Sequence, residues 1–73
     1  MTTNARIQMD KKIQVIMDHL QLLMETNQHL EKKQYVLMVC ERASKFFSAM
    51  SDDDREYLQY AQEAVEHGRE WNV

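Results

Sequence analysis

The sequence predicts an all-α protein: an antiparallel helical hairpin, then a shorter third helix, together assembling into a helical bundle. Three observations point there. The 73 residues include no proline and one glycine, too few breakers for the turns of an all-β fold. Apolar residues recur at alternating steps of three and four, the period of a helix face. With 44% apolar and 29% charged residues, the chain is neither a disordered linker nor a disulfide scaffold. The length suits a single small domain, 1–73.

The first helix is expected over about 4–25. Thr3 or Asn4 supplies a side-chain oxygen for the N-cap. Its stripe, Met9, Ile13, Ile16, Leu20 and Leu23, has the spacing of a coiled-coil seam. Val15, Met17, Leu22 and Met24 widen that stripe beyond a strict seam.

Residues 25–29 are all polar, which predicts a turn before a second helix over about 28–49. The second stripe is Val36, Cys40, Ala43, Phe47 and Met50, one residue out of phase with the first. A phase slip at a polar gap favours a break. The rival is one continuous helix over about 5–50, since no glycine or proline stops the first. Leu37, Met38 and Val39 lie between the stripe positions, and Tyr35 and Phe46 flank it. A helix apolar over this much of its surface belongs at the centre of an assembly.

The third helix is expected over about 52–67. Ser51 is its N-cap, with Asp54 at the capping-box position, and Asp52, Asp53 and Asp54 complement the helix dipole. Gly68 is placed to end it, and the tail 68–73 carries Trp71, which can fold back.

Charge is divided unevenly. Residues 1–51 hold seven basic and five acidic side chains, a net of +2; residues 52–73 hold two basic and seven acidic, a net of −5. The total of −3 lacks the basic excess of a phosphate-binding protein. The basic pairs Lys11–Lys12 and Lys32–Lys33, with Arg6, Arg42 and Lys45, read as solvated positions, so nucleic acid is not the expected partner. The acidic end can meet a basic partner or simply maintain solubility.

Chemistry-bearing residues are sparse. His19, His29, His67 and Cys40 lack the close pairs of a zinc site. Glu63, Glu66 and His67 miss the spacing of a di-iron helix. The histidines therefore read as surface residues. Cys40 sits on the apolar stripe, where a thiol is buried and inert. Asp52–Asp54 lacks the alternation of a calcium loop. The expectation is a non-enzymatic chain with no cofactor and no metal. The lone cysteine suits a reducing compartment, and no apolar run reaches the length of a signal core or a membrane span. A cytoplasmic location and no membrane contact follow as expectations.

The apolar excess then carries the functional expectation. A chain this short buries only about 60% of its unfolded surface. Val15, Leu22, Met24, Tyr35, Leu37, Met38 and Phe46 are left over once each helix turns one stripe inward. These seven are the expected interface of a homo-oligomer, most simply a twofold homodimer with a four-helix core. The chain is then a small helical interaction protein that modulates a larger partner protein. The alternative is a small regulator, of a phage- or mobile-element-encoded kind, acting on nucleic acid or its machinery.

Overall fold

The computed structural model describes residues 2–71, all helices and their connections, with no strand among them. Four α-helices pack together: α1 (Thr2–Glu25), α2 (Gln28–Glu31), α3 (Lys33–Ser44) and α4 (Asp52–His67), with a 3₁₀ turn at Phe47–Ala49. The molecule is elongated, 43 × 20 × 17 Å. Helix α3 is central and touches α1, α2 and α4.

Helix α1 already encloses Thr3 and Asn4, the expected caps, whose side chains lie outside the described ones. Its core face is Ile13, Met17, Leu20 and Met24, with Leu23 beside it and Ile16 partly buried. The expected seam is therefore rotated. Met9 stays exposed, and the unbranched Met17 and Met24 fill the interior.

The chain does break after α1. Thr26 turns back on the helix, its hydroxyl donating to Leu22 O at 2.7 Å. Asn27 then enters the left-handed region at φ 55°, ψ 28°. Asparagine tolerates that region better than other non-glycine residues, which explains a turn without glycine.

The expected second helix over 28–49 is in three pieces. A break at Lys32 (φ −120°, ψ 53°) separates α2 from α3, and α3 ends at Ser44 rather than Ala49. No local residue forces the break at Lys32. It lies between His29 and Lys33, both of which reach the C-terminal end of α4, at Arg69 O and Glu66 O. At the other end, Arg55 accounts for the 3₁₀ turn. Its guanidinium donates to Phe47 O and Ser48 O, each at 2.8 Å, and lies over the Phe47 ring. Phe47 O also accepts the 3₁₀ bond from Met50 N–H, and the guanidinium adds a charged donor to it.

Helix α4 begins and ends as the sequence predicts. Ser51 is extended and its hydroxyl accepts from Asp54 N–H at 3.3 Å. Gly68 is left-handed at φ 62°, with Gly68 N–H donating to Val65 O and Arg69 N–H to Ala64 O. That is a Schellman C-cap. The core unites Leu20 and Met24 of α1, Val36, Cys40 and Ala43 of α3, and Leu58, Ala61 and Val65 of α4.

Candidate functional site

Two surfaces depart from an ordinary polar exterior. The first lies along α1 and α3. Val15 is 67% exposed and Leu22 56%, and Tyr35 and Met38 are each about two-fifths exposed. Leu37 and Phe46 are partly buried against the core, so they contribute only edges. Met24 does not belong to this surface: it is fully buried, because the core face of α1 is turned towards Met17 and Met24. His19 joins the two helices here. Its Nε2 shares a hydrogen bond with the Tyr35 hydroxyl at 2.8 Å, and the rings meet edge to face. Lys11, Lys12, Val15, Ile16 and Phe46 line a shallow, almost wholly apolar depression of about 330 Å³.

The second surface is a groove of about 690 Å³ between α4 and the chain that follows it. One wall is a face of α4: Asp53, Glu56, Tyr57, Tyr60, Glu63 and Ala64, spaced i, i+3, i+4, i+7, i+10, i+11. The other wall is Arg69, Glu70 and Trp71. Among the described residues, the groove is thus rimmed by four carboxylates and lined by three aromatic rings, with Arg69 its one cation.

The tail wall is held by the turn after α1. Asn27 Oδ1 accepts from Trp71 N–H at 2.9 Å, and His29 Nε2–H donates to Arg69 O at 2.5 Å. Nδ1 of His29 is buried with no hydrogen-bond partner among the described residues. Trp71 then rests against Tyr57, ring centroids 5.2 Å apart. Burial, and secondarily the Glu25 carboxylate, pushes the Tyr57 hydroxyl up to about 12. The fold-back of Trp71 was legible in the sequence; the partners that hold it were not.

The expected surface histidines are corrected in two of three cases. His67 is exposed, but His19 is partly buried on Tyr35 and His29 is buried under the tail. Each has a polar partner that makes its burial affordable in solvation terms. Cys40 is buried between α3 and its neighbours. Loss of solvent, and then the charge of Glu66, pushes its thiol up to about 11, away from the thiolate a nucleophile requires. Among the described residues, no three His, Cys, Asp or Glu side chains converge as metal ligands, and no helix is long and apolar enough to cross a membrane.

Sequence reasoning missed the groove. Its signal was present as a second period on α4, the stripe 53–56–57–60–63, next to the core stripe of Leu58, Ala61 and Val65. Asp52, Asp53 and Asp54 all lie in the first turn of α4, where complementing the helix dipole conceals the place of Asp53 in this wall. Compared with protein families, with characterised proteins and with solved structures, the chain matches none of them.

Proposed function

We propose that this chain is a non-enzymatic helical interaction protein that self-associates through α1 and α3. Two copies meet about a twofold axis, each contributing an antiparallel pair of α1 and α3 to a four-helix core. The carrying observation is the strip Val15, Leu22, Tyr35 and Met38, left uncovered beside the apolar depression at Ile16 and Phe46. Contiguous exposed apolar surface on a small chain marks an interaction site. An isologous contact uses the same strip on both copies, the commonest way to close such a surface.

Magnitudes make the dimer a weak one. Fully burying such a side chain contributes about 1.5–3 kcal/mol. These four are already about half covered, so two copies gain an amount comparable to the association cost of about 4–15 kcal/mol. The dimer is therefore concentration-dependent, and α4 with its tail stays free for a larger partner. Sedimentation across roughly 5 to 500 µM tests this, a range that brackets such affinities. The mass is expected to rise towards twice the chain mass of 8.8 kDa. Val15→Glu with Met38→Glu should hold it at one chain, with helical circular dichroism retained. A parent that remains monomeric throughout overturns self-association.

A further inference from the structure

We propose that the groove between α4 and the C-terminal tail binds an arginine-bearing segment of a partner protein. This goes beyond self-association: it concerns a different face and a different kind of partner. Charge selects the sign of the occupant. Among the described lining residues, Asp53, Glu56, Glu63 and Glu70 face one cation, Arg69. A polyanion is repelled; a basic chain is attracted, and more strongly at low ionic strength.

The aromatic rings select the cation. Tyr60 is 59% exposed, a large ring set among carboxylates with none of the described residues covering it. Tyr57 and Trp71 continue the aromatic lining beside it. A guanidinium both stacks on such rings and pairs with carboxylates through its planar donor fork, whereas an ammonium brings only a point charge. The volume of about 690 Å³ admits more than one long side chain.

The groove already shows how a guanidinium sits in it. Arg69 Nη1 lies 3.2 Å from Glu63 Oε1, in a pair whose side chains are 64% and 53% exposed. A pair so exposed is weakly held and readily exchanged. The incoming arginine competes with Arg69 for Glu63. Loss of the Arg69 side chain should therefore strengthen binding, while its backbone carbonyl remains available to His29.

The full chain is titrated into fluorescein-labelled octapeptides alternating serine with arginine, lysine or glutamate, read by anisotropy. The arginine peptide should bind several-fold tighter than the lysine peptide, weaken with salt, and have no counterpart in the glutamate peptide. Tyr60→Ala should loosen it about fivefold, the scale of one cation–π contact. Glu56→Gln should also loosen it, and Arg69→Ala should tighten it. Glu31→Gln on α2, equal in charge change and outside the groove lining, should leave it within twofold. Absent binding, equal affinity for the lysine peptide, an equal loss from Glu31→Gln and Glu56→Gln, or no response to Tyr60→Ala and Arg69→Ala overturns the proposal. None of these substitutions touches the α1–α3 strip, so peptide affinity and oligomeric mass succeed or fail separately.

Discussion

Asn27 and Trp71, forty-four positions apart, are joined by a hydrogen bond of 2.9 Å from the Trp71 amide to the Asn27 side-chain oxygen. The residue that turns the chain after α1 is thus also the residue that fixes its tail. Replacing it should have two separable consequences. Asn27→Ala loses the bond and places a less tolerant residue in the left-handed region, at a combined cost of roughly 1.5–3 kcal/mol. Asn27→Gly relieves the backbone and loses only the bond, about 0.5–1.5 kcal/mol. Both should red-shift the emission of Trp71, the sole tryptophan. Urea titrations followed by fluorescence and by far-ultraviolet circular dichroism separate the two. Unchanged emission in both variants would mean that Trp71 is held by its ring contact alone.

Alkaline pH should destabilise the fold through Cys40. Its thiol is raised from 9.0 to about 11 in the folded chain, chiefly by burial. Below pH 9 both states hold the proton and pH has no effect. Between 9 and 11 the unfolded chain releases it while the folded chain keeps it, so stability falls as pH rises, by about 1.4 kcal/mol per pH unit at most. Tyr57, raised to about 12, extends the decline above pH 10. Cys40→Ala should flatten the slope between 9 and 10. A parent slope equal to that of Cys40→Ala would locate the alkaline sensitivity elsewhere.

The two ends of α4 test different physics. Ser51→Ala removes the acceptor for Asp54 N–H, and the 3.3 Å bond places the loss at the low end of about 0.5–2 kcal/mol. Gly68→Ala meets no atom within 4 Å, so its cost is left-handed strain alone, about 1–2 kcal/mol. Thermal melts of each variant and of the double variant should show additive losses, since the sites are a helix length apart.

Leu58 has no exposed surface. Leu58→Ala should cost about 2–5 kcal/mol, the usual range for a core truncation. Val15→Ser, on the exposed strip, should change monomer stability by no more than about 0.5 kcal/mol. A large monomer loss from Val15→Ser would show that the strip is packed within the chain.

The helical class, the extent of α4 and the break near residue 26 follow from local chemistry: Ser51 and Gly68 cap through their own atoms, and Asn27 turns through its tolerance of positive φ. Periodicity placed Leu20, Val36, Cys40 and Ala43 in the core, because a residue's neighbours on its own helix constrain which face is inside. It could not orient a wide apolar face to within one residue. Met9 is therefore outside and Met24 inside, a choice made by the helices packed against α1. Tertiary structure also divided the second helix. Arg55 takes the carbonyls of Phe47 and Ser48, and the break at Lys32 lies between side chains bound to the end of α4. These are interactions between distant residues, which no local pattern encodes. The groove is the furthest from the sequence. Its carboxylates and rings are visible along α4, but they become one wall of a site only where Asn27 and His29 draw the tail alongside.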